Sequence, residues 1–429
     1  MGITLEPREQ VRGQAKIPGD KSISHRALIF SSLVEGTVEI EGLLAAEDTQ
    51  ATLRCLQKLG VEFQAEGPRL LVKGQGLRGL QEPDDFLQAG NSGTTARLLL
   101  GVLAGQPFFS VLTGDDSLRN RPMDRITKPL RQMGAFIEGR KKGTLLPLAV
   151  RGGDLTPIRY RLPVASAQVK SALLLAGLYT RGRVELLEPA PSRDHTERML
   201  SYLGGRIGRG AKGEIILETP FKLAAKKLKI PGDLSSAAFF LVAAALAPRG
   251  ELLLEEVGVN PTRTGILDIL EKMGATVRVL NQREENGEPV ADLFVQSGRT
   301  LKGVEISAHM IPRLVDEIPI LAVAALFAAG ETVIRGAGEL RLKESDRLHA
   351  LAMELRKMGA AIEELPDGLV IKGGEKINGA VCSSHGDHRI AMALAIASLF
   401  ATGETIIQGI ESVGVSFPDF FTLLDNLTE

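Results

Sequence analysis

The 429-residue chain contains no tryptophan, and aromatic residues make up only 4% of it. Stacking platforms for bases or sugar rings need such side chains, so an aromatic-lined nucleic-acid or carbohydrate groove is not expected. Cysteine is scarce too. Cys55 and Cys382 show neither metal-type nor redox spacing, which points to a reducing compartment. Of six histidines only His385 and His388 come close together, too few ligands for a zinc site. No uninterrupted apolar run reaches the roughly eighteen residues of a membrane span. No basic, apolar leader precedes the strand-like ITLEP, so a cytoplasmic protein is expected. A surplus of charge is missing as well: Lys+Arg number 51 and Asp+Glu 52. That balance disfavours a general polyanion binder and leaves only a local basic site.

What is present in quantity is apolar material, 44% of residues against 24% charged, enough for two or three domains. It is arranged as a repeat. An apolar helical run ends in Leu or Met followed by glycine, at Gly60, Gly134, Gly204, Gly274 and Gly359, and a strand-like stretch follows each. Glycine there suits the left-handed residue past a helix end. Before each of these five, and once more after the last, lies a small-residue apolar helix, then a glycine and a strand; the six glycines are 36, 105, 182, 250, 330 and 403. The step averages about 73 residues, in the range of repeat architectures. The segment KIPGD occurs twice, from Lys16 and from Lys229, three steps apart. The reading is an α/β (α+β) protein of two pseudo-symmetric domains, residues 20–232 and residues 1–19 plus 233–429. Each would hold three units, with KIPGD marking a double-crossing hinge.

The units differ in the polar segment before each buried helix: GDKSISHRA, AGNSGTTAR, VASAQVKSA, GDLSSAAF, RLVDEIP and HGDHRIA. Helix N-termini present free N–H groups and suit anions, although Ser, Asp and Asn are also simply good caps. Lys21, Arg26, Arg97, Arg121, Arg193, Lys343, Arg347 and Arg389 recur at equivalent edges of these units. If those edges face one cleft, it is strongly positive and fits two small, multiply charged anions. Asp316 and Glu344 lie in the same kind of loop, where cations would keep them ionised and able to move protons. The plainer alternative is that Glu344 and Asp346 pair with Lys343 and Arg347 along a helix.

In order along the chain, GDKSISHRA, AGNSGTTAR, RNRPMDR, PVASAQVKSALLLAGL, SRDHTERML, KESDRLHAL and GDHRIAMALAIA resemble the motifs of 5-enolpyruvylshikimate-3-phosphate synthases. The resemblance implies two domains of three βαβαββ units. It also implies transfer of carboxyvinyl from phosphoenolpyruvate to the 5-hydroxyl of shikimate 3-phosphate, in aromatic amino-acid biosynthesis. Lys21 would touch both substrates. Ser22, Arg26, Ser166, Ala167, Gln168, Arg193, Asp316 and Lys343 would hold the phosphoshikimate. Gly93, Arg121, Gln168, Arg347 and Arg389 would hold phosphoenolpyruvate. Asp316 would accept the hydroxyl proton, and Glu344 with Lys21 would protonate the methylene carbon. Arg and Lys neutralise the phosphate and carboxylate, so neither metal nor cofactor is implied. The family is the target of glyphosate, a phosphoenolpyruvate mimic. A monomer binding neither nucleic acid nor membrane is expected.

Two departures stand out. Some members carry Lys two residues before the Phe-Pro-Asp near the C-terminus, where this chain has Val415; and Ala167 replaces a serine of other members. The nearest rival, UDP-N-acetylglucosamine enolpyruvyl transferase, has Lys-Asn in place of Lys21-Ser22 and a Cys-bearing loop, whereas GDDSLRNRPMDR has no Cys. A non-catalytic anion-binding protein of the same fold would have no need of Lys21, Asp316 and Glu344 together.

Overall fold

The computed structural model describes residues 1–298 and 300–429. The sequence repeat appears as a recurring sheet with one strand order. In one copy, Leu87–Gln88 runs parallel to Phe109–Thr113, which pairs antiparallel with Leu145–Arg151, and that strand pairs antiparallel with Phe136–Gly139. The sheets around Glu35–Glu41, Gly182–Leu187 and Gly330–Ile334 follow the same order. The last copy keeps three strands, Val381–Ser383, Thr405–Gln408 and Gly2–Leu5.

The chain divides into two compact units. The N-terminal unit comprises Gly19–Ile230 and Glu284–Glu288; the C-terminal unit comprises Met1–Pro18, Pro231–Arg283 and Pro289–Glu429. Strand β1 (Gln10–Lys16) pairs parallel with Arg249–Gly258 of the C-terminal unit, from Gln10↔Arg249 to Lys16↔Glu255. The chain then enters helix α1 (Lys21–Ser32) of the N-terminal unit. Strand β2 (Leu228–Lys229) pairs parallel with Glu35–Glu41 of the N-terminal unit, and the chain then enters helix α5 (Leu234–Leu246) of the C-terminal unit. Each KIPGD copy thus closes a strand in one unit and opens a helix in the other. Pro18 and Pro231 have no N–H for a ladder, so each strand stops there.

The helices that carry the site are α1, α2 (Gly93–Leu103), α3 (Ala167–Gly177) and α4 (His195–Tyr202) in the N-terminal unit. In the C-terminal unit they are α5, α6 (Ile318–Leu326), α7 (Arg347–Lys357) and α8 (His388–Ser398). Most are apolar nearly all round because they are buried on every side; α6 and α8 are buried along their entire length. Small residues let them approach closely. A Cβ at Gly101 of α2 would collide with the Ala172 carbonyl of α3. Each unit has its own apolar core, one around Phe30, Leu99 and Leu174, the other around Phe239, Phe240, Phe417 and Phe420. At roughly 1.5–3 kcal/mol for each buried large apolar side chain, these cores fix the helix axes and hence where their first residues point.

Strands β3 (Arg249–Gly258), β4 (Thr276–Glu285) and β5 (Glu288–Gln296) complete the sheet that contains β1, in the order β4-β5-β3-β1. β4 and β5 join through Asn286-Gly287, both left-handed at φ 55° and 81°. Asn-Gly is the preferred pair for such a two-residue turn.

Candidate functional site

The polar residues singled out in the sequence sit at helix starts because the same segments supply the caps. Asp20 accepts from the Ile23 N–H at 2.8 Å, Ser92 from Thr95 at 3.2 Å, and Ser166 from Val169 at 3.4 Å. Capping settles the first turn and leaves the neighbouring side chains to meet a ligand.

In the N-terminal unit, Lys21 is the first residue of α1, and its Nζ lies 3.0 Å from Asp48 Oδ2. Further along the helix, Arg26 is 2% exposed, and each of its three guanidinium nitrogens makes one hydrogen bond. Its Nε donates to Thr196 Oγ1, one Nη to Ser171 Oγ and the other to the Ser22 carbonyl, each at 2.7 Å. Burial pushes its pKa down to about 10, against the opposing pull of Glu197, Asp20 and Glu288. It stays cationic at neutral pH. His25 is buried beside them, its Nδ1 2.7 Å from Thr52 Oγ1. Burial first, then Lys21 and Arg26, hold its pKa well below the ordinary value, so it is a neutral ring. Arg193 precedes α4 by two residues and is close enough to Arg26 to oppose its charge.

A second group in this unit centres on α2. Gly93 is its first residue, and an added Cβ would lie 2.5 Å from Arg97 Nη1 and 3.6 Å from Arg121 Nη1. Arg97 donates to Gln168 Oε1 at 2.9 Å, and Gln168 Nε2 donates to Thr94 Oγ1 at 2.9 Å. Gln168 is thereby fixed at both ends. Arg121 is held by Asn91, with Nη2 2.6 Å from Oδ1, and by Ser117 at 3.1 Å. Ser166 and Ala167 form the entry to α3 immediately before Gln168.

In the C-terminal unit, Asp316, Lys343, Glu344, Arg347 and Arg389 come together. Arg347 is 1% exposed. Its Nε donates to Asp387 Oδ2 at 2.7 Å, its Nη2 donates to Glu344 Oε2 at 2.6 Å, and its Nη1 lies 3.5 Å from Asp316 Oδ1. Burial opposes its charge, but Asp387, Glu344 and Asp316 outweigh that and hold its pKa above the usual arginine value. Arg389 Nη1 donates to the Asp316 carbonyl at 2.8 Å, and its Nη2 lies 3.6 Å from Asp316 Oδ2. Lys343 has a lowered pKa, first through burial and also through Arg347, partly countered by Asp316 and Glu344. Glu344 does pair with Arg347, as the plainer reading anticipated. Asp346, by contrast, caps α7 and pairs with Arg341 at 2.8 Å.

The cations of this cluster do not stand alone. Lys343, Arg347 and Arg389 are accompanied by Asp316, Glu344 and Asp387. The cations are held in place by fixed acids, and bare arginines packed at this density would repel one another. Asp48, Ser171, Thr196 and Asn91 were not singled out as partners by sequence reasoning. They lie 27 to 170 positions from the cations they hold, and no local pattern signals such a pairing. Asp387 had a signal, the GDHR motif, but not its role. Val415 ends a short 3-10 turn, Ile410–Val415, and brings no cation of its own. Among the described residues, no cluster of His, Cys, Asp and Glu is arranged to hold a metal ion, and no helix is long and apolar enough to cross a membrane.

Comparison with known proteins bears on what such a site acts upon. The sequence model for "EPSP synthase (3-phosphoshikimate 1-carboxyvinyltransferase)" matches residues 5–424. The 3-phosphoshikimate 1-carboxyvinyltransferase of Desulforudis audaxviator is 54% identical, covering 100% of this chain and 99% of its own length. That of Pelotomaculum thermopropionicum is 55% identical, with 99% and 98% covered. A solved structure of EPSP synthase from Acinetobacter baumannii superposes with a TM-score of 0.89 at 44% identity, covering 100% of this chain and 98% of that one.

Proposed function

The chain belongs to the EPSP synthase family, and from that membership we infer that it transfers the carboxyvinyl group of phosphoenolpyruvate to the 5-hydroxyl of shikimate 3-phosphate, releasing phosphate. The observation that carries this reading is Asp316. A carboxylate 3.5 Å and 3.6 Å from two buried guanidinium groups is a base poised beside an anion grip, and binding alone would need no base.

In the N-terminal unit, Arg26, Ser22 and Arg193 serve the sugar phosphate, with Ser166, Ala167 and Gln168 at the start of α3. Lys21 touches both substrates. Gly93 and Arg121 serve phosphoenolpyruvate, since a glycine at a helix start lets a compact anion approach the backbone. In the C-terminal unit, Arg347 and Arg389 serve the phosphoenolpyruvate anion and Lys343 the phosphoshikimate. The hydroxyl oxygen attacks the enol carbon and its proton passes to Asp316, while the methylene carbon takes a proton from the Lys21 ammonium, with Glu344 as its partner in that transfer. Loss of phosphate, with return of a proton from the new methyl group, restores the vinyl double bond. The fixed guanidiniums stabilise charge as it develops, without reorganising. The enzyme is proposed to act as a cytoplasmic monomer on these two substrates, and its balanced charge supports the absence of a nucleic-acid partner.

The test is phosphate release from phosphoenolpyruvate by the purified protein, with and without shikimate 3-phosphate. Release that depends on shikimate 3-phosphate is expected; release that depends on UDP-N-acetylglucosamine would reverse the assignment.

A further inference from the structure

His195 opens α4 and is 1% exposed. Its Nδ1 lies 2.7 Å from Glu288 Oε1, and Glu288 is itself only 5% exposed. A carboxylate can only accept, so Nδ1 carries the hydrogen. Nε2 is buried and has no hydrogen-bond partner among the described residues.

Glu288 comes from the β4–β5 hairpin, whose strands belong to the other half of the sequence. The hairpin tip belongs to the N-terminal unit, where Arg198 Nη1 donates to the Gly287 carbonyl at 2.8 Å and Asn286 Nδ2 donates to the Lys229 carbonyl at 2.9 Å. The charge of Glu288 reaches Arg26 and Arg198. Thr196, the residue after His195, accepts from Arg26 Nε, and Arg193 lies just upstream.

We propose that Glu288 is a positioning residue for the shikimate 3-phosphate site: through His195 it fixes the start of α4, and with it Thr196 beneath Arg26 and Arg193 beside it. This rests on the assignment of Arg26 and Arg193 to the sugar phosphate. The Glu288 carboxylate touches neither substrate in this scheme; it sets the ring and the first turn that carries the contacts. Displacement of such contacts by a fraction of an ångström is enough to weaken binding.

The experiment is calorimetric binding of shikimate 3-phosphate to the full chain, with steady-state KM for both substrates. Glu288→Ala is expected to weaken shikimate 3-phosphate about tenfold, with kcat and the phosphoenolpyruvate KM within about twofold of the parent. Glu288→Gln, whose amide oxygen still accepts from Nδ1, is expected within about threefold of the parent. Tyr202→Phe removes a hydrogen bond to the Lys227 carbonyl at the far end of α4, away from the pair, and serves as the structural control, leaving affinity within about twofold. Unchanged affinity in Glu288→Ala overturns the proposal. So does a matching rise in the phosphoenolpyruvate KM, a Gln variant as weak as Ala, or an equal loss in the control. Failure of the parent protein to bind shikimate 3-phosphate is a separate outcome, which overturns the substrate assignment instead.

Discussion

At Asp316 the carboxylate faces Arg347 and Arg389 while the backbone carbonyl separately holds Arg389. Asp316→Asn keeps the shape and the carbonyl contact but removes the base. Turnover should fall on the order of 10²–10⁴-fold, with a much smaller change in shikimate 3-phosphate binding; calorimetry beside kinetics checks this, and equal losses would make Asp316 a ligand only. Lys343 makes a pH-dependent prediction. Burial lowers its pKa from 10.5, so the ammonium is lost at a lower pH than in an ordinary lysine. Affinity for shikimate 3-phosphate should decline on the alkaline side below pH 10.5, and Lys343→Arg should move that decline upward. Folding favours the neutral form of a base whose pKa is depressed, so stability from this group rises as pH passes its folded pKa, opposite to the affinity. Gly93 is the third case. A methyl there meets Arg97 Nη1 at 2.5 Å, and Arg97 holds Gln168. Gly93→Ala should raise the glyphosate inhibition constant more than the phosphoenolpyruvate KM, by about 5- to 150-fold for an overpacking cost of roughly 1–3 kcal/mol. Equal inhibition constants for the two proteins would remove Gly93 from the phosphoenolpyruvate site.

Helix α3 shows what supports the site from behind. Lys170 is fully buried on this helix, its Nζ 3.1 Å from Glu188, 2.7 Å from Glu197 and 3.2 Å from the Ser192 carbonyl. Ser192 also donates to Glu188. The lysine therefore ties α3 to the segment that carries Arg193 and to α4. Lys170→Met would leave two carboxylates buried without their cation, a change that costs about 3–5 kcal/mol in comparable pairs. Chemical denaturation at neutral pH checks this. Burial already raises the pKa of Glu197 above 4.5, so the deficit should narrow as pH falls toward 4.5 and that carboxylate becomes protonated. A deficit that is independent of pH would mean lost packing rather than lost charge pairing. The helix starts were legible in the sequence because cap, glycine and apolar run are local signals. The partners of Lys170 were not, since burial alone brings them together.

Across the whole molecule, the two KIPGD copies end differently. The first continues Lys21-Ser22 and the second Leu234-Ser235. Leu234 is buried in the core, and Ser235 is enclosed by Arg263 at 2.6 Å and by Glu317. Arg263 also binds the cap Asp233 at 2.9 Å. The C-terminal copy of the entry segment is thus occupied by its own side chains. Shikimate 3-phosphate should accordingly bind with one site per chain, read directly from calorimetric stoichiometry; two sites would contradict this. The sequence by itself determined the α/β class, the repeat, the exchange point at KIPGD and the helix starts that carry Lys21, Gly93, Gln168, Arg347 and Arg389, because periodicity, caps and glycines act within a few residues of one another. Only the tertiary structure decided that Asp387 holds Arg347, that Asp48 meets Lys21, and that a hairpin from the second half of the chain places Glu288 on His195. Those pairs are 40, 27 and 93 residues apart, and ions buried at such separations choose partners by where the packed cores deliver them.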